Sequence, residues 1–200
     1  MNDIIKNTIN KVTGFIKTAN KLLLPDNKHT YIENNIGDKL LEWPERLEVA
    51  LEICKKHLLI DDMSELQIAD YGCGKQTLRR IIPSVWKYTP YDYCSRSADT
   101  IVCNFNNNEM PKGRFDVIFC MGVLEYLASP YALILHAIKN SSYVVLSYSG
   151  FTTQERRDLQ GWVNNLRLSE IEEFISTNGG SILDKSHYKN NQWIYLVKCE

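Results

Sequence analysis

The chain has 200 residues, which suits one domain and leaves no room for a second of ordinary size. Hydrophobic residues make up 44% of the sequence, enough for a substantial core. The 23 basic and 24 acidic side chains give a net charge of −1. Because proteins that bind nucleic acid usually carry an excess of positive charge, we expect no nucleic-acid partner.

The cysteines and apolar stretches indicate the cellular setting. Six cysteines lie far apart, with no CxxC pair and no cluster with the four histidines, so we expect reduced thiols and no metal site. The longest uncharged apolar stretch, residues 117–124, is far shorter than the roughly 18 residues that a membrane span needs. With no apolar signal core at the amino terminus, we predict a cytoplasmic protein that does not span a membrane.

Residues 1–24 are predicted to form an amphipathic helix, because apolar side chains recur there at steps of three and four. Its polar side carries Lys6, Lys11, Lys17 and Lys21 against a single acid, Asp3. Such a helix packs on its own domain or on a second subunit, or else lies on the inner face of an anionic membrane. Residues 24–38 resemble a linker or lid, so we divide the chain into an extension, 1–38, and a main domain, 39–200.

The main domain shows alternating helix-like and strand-like segments, which is typical of a mostly parallel sheet with helices on its faces. A helix is predicted from about Pro44 to His57. The further strand candidates are residues 66–71, 86–91, 100–103, 115–121 and 143–148, and the further helix candidates are residues 76–82, 131–140 and 170–178.

The carboxyl-terminal part has readable element ends. Ser169 and Glu172 match a capping box at the start of the last helix, and Gly179-Gly180 supplies its left-handed stop. Two final apolar runs, 181–187 and 192–199, are joined by too few residues for a crossover helix. They predict an antiparallel hairpin.

A pair of acids flanking two glycines carries the strongest functional signal. An apolar strand candidate ends near Asp70, and Gly72 and Gly74 follow at the turn. Glycines at a strand-to-helix turn let a ligand approach the backbone closely. Asp92 ends the next strand candidate, where an acid can accept hydrogen bonds from both ribose hydroxyls of a nucleoside. The pattern predicts a nucleoside-type ligand.

These residues resemble the first motif of the class I S-adenosylmethionine-dependent methyltransferases, acid-x-Gly-x-Gly-x-Gly. Asp92 matches the family's acid after the second strand, and segment 115–127, with its Leu124-Glu125 pair, resembles its fourth strand and following helix. The resemblance covers about residues 40–200. It implies a doubly wound, seven-stranded, mostly parallel α/β sheet with helices on both faces and a carboxyl-terminal antiparallel hairpin, here preceded by the helical extension.

The resemblance also implies S-adenosylmethionine as cofactor and assigns site residues. Asp70 would order the methionine amino group, Asp92 the ribose and Asn104 the adenine amine. The full predicted cofactor set is Asp70, Gly72, Cys73, Gly74, Asp92, Asn104, Cys120 and Met121. This chain departs from the family at three positions: Gln76 replaces the third glycine, Asn104 a common Asp, and Tyr126 a frequent His.

The chemistry of methyl transfer requires an aligned nucleophile and, for a hydroxyl, a proton acceptor. We predict Glu125 and Tyr126 as catalytic residues, with Tyr148 and Ser149 as further candidates, although capping and packing would also explain these side chains. Residues 156–165 either line a substrate pocket through Arg156 and Arg157 or leave those arginines in solvent.

Other nucleotide-binding enzymes fit the sequence less well. A dinucleotide-binding motif would need glycine where Thr77 stands, and no nucleoside triphosphatase loop occurs in the chain. We therefore predict a methyltransferase that modifies a hydroxyl or amine of a small molecule or saccharide. The alternative is a catalytically inactive binding or scaffold protein of the same fold. In either case residues 1–24 would provide a peripheral membrane or dimer contact.

Overall fold

The computed structural model describes residues 44–58, 64–189 and 191–200. The predicted helix over 1–24, the linker over 24–38 and the boundary at residue 38 lie outside these residues. Within the described ranges, no helix has the length and apolar character to cross a membrane.

Seven strands form one sheet in the order β3-β2-β1-β4-β5-β7-β6. Strands β1 to β5 pair in parallel, and β7 runs antiparallel between β5 and β6. The doubly wound sheet and its terminal hairpin are therefore confirmed. The strands are β1 (Gln67–Tyr71), β2 (Lys87–Asp92), β3 (Ile101–Val102), β4 (Phe115–Met121), β5 (Ser141–Ser149), β6 (Gly180–His187) and β7 (Gln192–Cys199).

Helices pack on both faces of the sheet. The α-helices are α1 (Pro44–Leu58), α2 (Pro130–Lys139), α3 (Gln154–Gln160) and α4 (Leu168–Thr177). Buried residues of α2 and α4, including Leu133 and Ile171, share one apolar cluster with Ile118 of β4. On the opposite face, Ala50 of α1 packs in a second cluster with Phe119 of the same strand. Neighbouring residues of β4 thus supply the two cores, as expected for a strand buried on both faces.

The strand order creates a crevice at the carboxyl ends of β1 and β4. From β1 the chain continues to β2 on one side, whereas β4 lies on the other side. At such a switch point the connections diverge, and ligands of parallel α/β sheets bind in the crevice that results. The segments that follow these strand ends are residues 72–77 after β1 and residues 122–127 after β4, and we expect the site there.

The predicted helix over residues 76–82 is wrong, because the structure has one short 3-10 turn there, Leu78–Arg80. Gln76 adopts a φ of +56°, which lies outside the right-handed helical region. Pro83 closes the segment and disfavours a helical conformation of the residue before it. The connection from β1 to β2 is therefore mostly loop.

The prediction is wrong for the start of α4 and confirmed for its end. The capping box of Ser169 and Glu172 is wrong: Glu170 Oε2 accepts the backbone N–H of Arg167, at 2.6 Å, and Glu172 Oε1 instead accepts the hydroxyl of Tyr195. The stop is confirmed, since Gly179 has a φ of +90°. Helix α3 was not predicted from the sequence.

Candidate functional site

The loop after β1 is fastened to β2 by its own backbone. The N–H groups of Gly72 and Cys73 both donate to the carbonyl of Tyr91, at 2.8 and 3.0 Å. The backbone N–H of Gly74 donates to Asp92 Oδ2 at 2.9 Å. The glycine loop and the acid at the end of β2, which the sequence predicted as partners, are thus directly joined.

The loop is packed on one side and open on the other. A Cβ on Gly72, where φ is +79°, would lie 2.7 Å from Cβ of Val123, so a side chain cannot be accommodated there. A Cβ on Gly74, where φ is +50°, would meet nothing within 4 Å. The main chain at Gly74 therefore faces open space that a ligand can fill.

Asp70, near the end of β1, is a buried carboxyl with a raised pKa. Its side chain is 4% exposed, and Tyr88 of β2 donates its hydroxyl to Oδ2 at 2.5 Å. Burial raises the pKa of Asp70 to about 7, with a smaller rise from the charge of Asp92 and an opposing effect of Tyr88. A negative charge nearby disfavours the ionised form of a carboxyl, and a bound cation favours it. Sequence reasoning missed Tyr88.

Asp92 has capacity for further hydrogen bonds. Its Oδ1 lies 3.4 Å from the backbone N of Cys94 and 3.9 Å from Nε of Arg96, while Oδ2 accepts from Gly74. Each carboxylate oxygen offers two lone pairs, so these contacts do not exhaust the group. The acid is held in a fixed orientation beside the open backbone.

Gln76 occupies the position of the third motif glycine and adopts a left-handed conformation. Its side chain is part of a network with the chain between β2 and β3, since Nε2 lies within donating distance of Ser97 Oγ (2.6 Å), Asp99 Oδ1 (2.9 Å) and Thr100 Oγ1 (3.2 Å). Its Oε1 accepts from Arg79. These bonds compensate for a backbone conformation that favours glycine.

Asn104 follows β3, and its amide oxygen accepts the backbone N–H of Asn106 at 3.0 Å. The side chain of Asn106 then spans to the chain after β4: Nδ2 donates to Tyr126 O at 3.1 Å, and Oδ1 accepts from Ala128 N at 2.9 Å. Asn106 was not singled out from the sequence. It links the loop that carries Asn104 to the turn formed by residues 124–127, the 124–127 turn.

The two predicted catalytic residues lie on this turn. Glu125 is 2% exposed, and its Oε1 accepts the backbone N–H of Ser149 at 2.9 Å. Burial raises the pKa of Glu125. Burial also raises the pKa of the Tyr126 phenol, which hydrogen-bonds the side chain of Trp162. Their catalytic role stays a prediction.

Asn164 holds the 124–127 turn by hydrogen bonds to its backbone. Its Nδ2 donates to the carbonyls of Leu124 (2.7 Å) and Leu127 (2.8 Å), and its Oδ1 accepts from the hydroxyl of Tyr148 (2.6 Å). Of the two arginines predicted in this segment, Arg157 is buried and Arg156 is exposed. The segment is therefore tied to the residues after β4 rather than standing free in solvent.

The remaining predicted residues lie at the end of β4. Cys120 is buried within the strand, and the carbonyl of Met121 accepts a hydrogen bond from Nη2 of Arg46, at 3.4 Å. Arg46 belongs to the first turn of α1 and was missed from sequence. It is 75 positions away from Met121, and no local pattern indicates such a contact.

Comparison with known proteins gives a consistent result. A family model described as a methyltransferase domain matches residues 38–177. A search of curated protein sequences gave no significant match. Among solved structures, magnesium protoporphyrin IX methyltransferase from Synechocystis PCC 6803, with bound S-adenosylhomocysteine, is similar with a TM-score of 0.64 and 14% identity. It covers 88% of this chain and 100% of its own.

Two further solved structures share the fold. The 1,6-didemethyltoxoflavin-N1-methyltransferase of Burkholderia thailandensis has a TM-score of 0.62 and 13% identity, covering 86% of this chain and 87% of its own. An S-adenosylmethionine-dependent methyltransferase from Clostridium acetobutylicum has a TM-score of 0.60 and 13% identity, covering 86% and 98%. At these identities the similarity shows the fold alone.

Proposed function

Because the chain belongs to the methyltransferase domain family and is an S-adenosylmethionine-dependent methyltransferase, we propose that it methylates a hydroxyl or amine of a small molecule or saccharide. The observation that carries this proposal is the hydrogen bond from Gly74 to Asp92, because it fixes an acid beside open main chain at the switch point of the sheet. Asp70 lies at the same edge.

The residues at this edge suit the charge of the cofactor. When bound, S-adenosylmethionine supplies a methyl group activated by a sulfonium, and its amino acid part adds an ammonium and a carboxylate. The charge of Asp92 raises the pKa of Asp70, and a cationic ligand beside Asp70 would favour its ionised form. We assign the ammonium to Asp70 and the ribose hydroxyls to Asp92, with the open backbone at Gly74 between them.

Glu125 and Tyr126 are the residues that we assign to the methyl acceptor. The backbone N–H of Ser149 fixes the orientation of the Glu125 carboxylate, and burial raises its pKa, which makes it a stronger base than an ordinary glutamate. The Tyr126 phenol remains protonated and can donate a hydrogen bond that orients the acceptor. In this proposal Glu125 accepts the proton that the nucleophile loses.

Support for a small-molecule acceptor comes from the relatives. The names of the Synechocystis and Burkholderia enzymes give magnesium protoporphyrin IX and 1,6-didemethyltoxoflavin as their substrates, and both are small molecules. The second candidate function is a binding or scaffold protein of the same fold without turnover, favoured by the burial of the Glu125 side chain.

The test combines binding with turnover. Calorimetry with S-adenosylmethionine should give micromolar affinity, and tritium transfer from methyl-labelled cofactor should mark at least one compound in a panel of phenols, amines and saccharides. Glu125→Gln should then retain cofactor binding and lose most of the transfer. Tight binding without transfer to any panel compound would support the scaffold function, and absence of binding would overturn the cofactor assignment.

A further inference from the structure

Arg46 reaches from α1 across the carboxyl end of β4. Its Nη2 donates to the carbonyl of Met121, the last residue of that strand. The next residue, Gly122, has a φ of +74°, and a Cβ there would lie 2.7 Å from Nη2 and 2.8 Å from Nη1. Glycine at this position is therefore what allows the guanidinium to lie against the main chain.

The guanidinium is placed among buried acids. Burial lowers the pKa of Arg46, while the carboxylates of Glu125 and Asp70 raise it. An arginine stays protonated under these conditions, because its ordinary pKa is above about 12. The positive charge lies at the end of β4, and Asp70 of β1 pairs with Phe119 of that strand, two residues before Met121. The loop after β1 leaves the main chain open at Gly74 at the same edge of the sheet.

A carboxylate (Asp70) and a guanidinium (Arg46) at the same edge of the sheet complement the two charges of a zwitterion. The amino acid part of S-adenosylmethionine carries an ammonium and a carboxylate on one carbon atom. The proposed function already assigns the ammonium to Asp70. A guanidinium presents parallel N–H groups that match the two oxygens of a carboxylate, and such charge-assisted bonds are strong in a desolvated site.

We propose that Arg46 binds the carboxylate of the methionine part of S-adenosylmethionine, opposite the ammonium held by Asp70. This inference rests on the cofactor site of the proposed function and adds α1 to it. Helix α1 then contributes to cofactor affinity through its first turn. An anionic group on the methyl acceptor is the competing occupant of this arginine.

Decarboxylated S-adenosylmethionine tests the proposal, because it lacks the carboxylate and keeps the sulfonium, the amine and the adenosine. Calorimetry measures its affinity and that of S-adenosylmethionine for the wild type, Arg46→Ala, Arg46→Lys and Arg114→Ala. The Arg114 variant is the matched control, since that exposed arginine precedes β4 at the opposite end of the strand. Thermal melting checks that each variant is folded.

We expect Arg46→Ala to bind S-adenosylmethionine about 10- to 100-fold more weakly, the range for losing a hydrogen bond between charged groups. Its affinity for the decarboxylated compound should stay within about 3-fold of the wild type, so the preference for the natural cofactor disappears. Arg46→Lys should keep part of the preference, because it retains the charge, and Arg114→Ala should keep all of it. If Arg46→Ala does not fold, Arg46→Gln and Arg46→Lys give the same comparison.

The outcomes separate this inference from the proposed function. Equal weakening of both compounds by Arg46→Ala would overturn the carboxylate assignment and leave the cofactor site intact. Unchanged affinity for S-adenosylmethionine, with a raised KM for the acceptor, would also overturn it and assign Arg46 to the acceptor. If the wild type binds neither compound, the proposed cofactor site itself fails.

Discussion

The backbone N–H of Gly74 donates to Oδ2 of Asp92 at 2.9 Å, so the motif glycine and the acid of the next strand form one unit. This bond ties the loop after β1 to the end of β2. The two residues are 18 positions apart, separated by most of the connection from β1 to β2 and by β2 itself.

Asp92→Asn should weaken cofactor binding while leaving the protein folded. The asparagine side chain has one oxygen acceptor where aspartate has two, and it carries no negative charge. We therefore expect affinity for S-adenosylmethionine to fall about 10- to 100-fold. Calorimetry measures the change. Asp116→Asn is the matched control, because Asp116 also accepts a backbone N–H at 2.8 Å, from Gln67, but at the opposite end of the sheet. Similar losses in both variants would contradict the ribose assignment.

Gln76 should show the cost of a left-handed backbone and the benefit of its side-chain bonds. Gln76→Ala loses the network to Ser97, Asp99 and Thr100 and keeps the positive φ, so we expect a loss of about 1–3 kcal/mol in the free energy of unfolding. Gln76→Gly loses the same bonds without the backbone penalty and should be about 1 kcal/mol more stable than the alanine variant. Urea denaturation measures both, and an alanine variant at least as stable as the glycine variant would be contrary to this account.

The sequence could predict the sheet, because its strands are apolar runs with clear ends and the terminal hairpin has a short connection. It also brought Asp70, Gly74 and Asp92 together, since parallel strands end at one edge. The 76–82 helix could not be excluded from sequence, because propensity does not reveal the positive φ of Gln76.

Several site residues could not be predicted because their contacts join distant parts of the chain. Arg46 and Met121 are 75 positions apart, and Asn164 and Leu124 are 40 apart. No spacing or periodicity indicates such pairs. Tyr88 looked like an ordinary strand residue until the register of β1 and β2 placed its hydroxyl on Asp70.

Cofactor affinity should depend on the ionisation of Asp70. Its pKa is about 7 in the protein without ligand, so the carboxyl is largely neutral at pH 6, and an ammonium favours the ionised form. Binding then releases a proton, and affinity for S-adenosylmethionine should rise up to about tenfold per pH unit below pH 7 and level off above it. Calorimetry at several pH values, in buffers of different ionisation enthalpy, measures both effects.

Two variants check the residue responsible. Tyr88→Phe removes a hydrogen bond that lowers the pKa of Asp70, so the midpoint of the pH profile should move upward. Asp70→Asn should remove the pH dependence altogether. The stability of the ligand-free protein should move in the opposite direction to affinity: the raised pKa makes the folded state bind more protons than the unfolded state, so stability falls from about pH 4 to about pH 7. A profile that Asp70→Asn leaves unchanged would show that another group titrates.

Asn164 should affect turnover more than cofactor binding. Its amide holds the carbonyls of Leu124 and Leu127, on either side of Glu125 and Tyr126, so Asn164→Ala should loosen the turn that carries both side chains. We expect methyl transfer to the active panel compound to fall about tenfold or more in kcat/KM, because misplaced catalytic groups are costly to alignment. Affinity for S-adenosylmethionine should change by less than about 3-fold, since the loop after β1 is untouched.

The neighbouring Asn165 provides the control for that experiment. Its side chain makes two hydrogen bonds, of 3.1 and 3.2 Å, both to the backbone of Thr152, and neither reaches the 124–127 turn. Asn165→Ala should also lose stability, about 1–3 kcal/mol, while turnover stays near that of the wild type. Equal effects of the two variants on kcat/KM would mean that the segment acts through stability alone. An effect confined to Asn164 would make it a positioning residue for the acceptor side of the site.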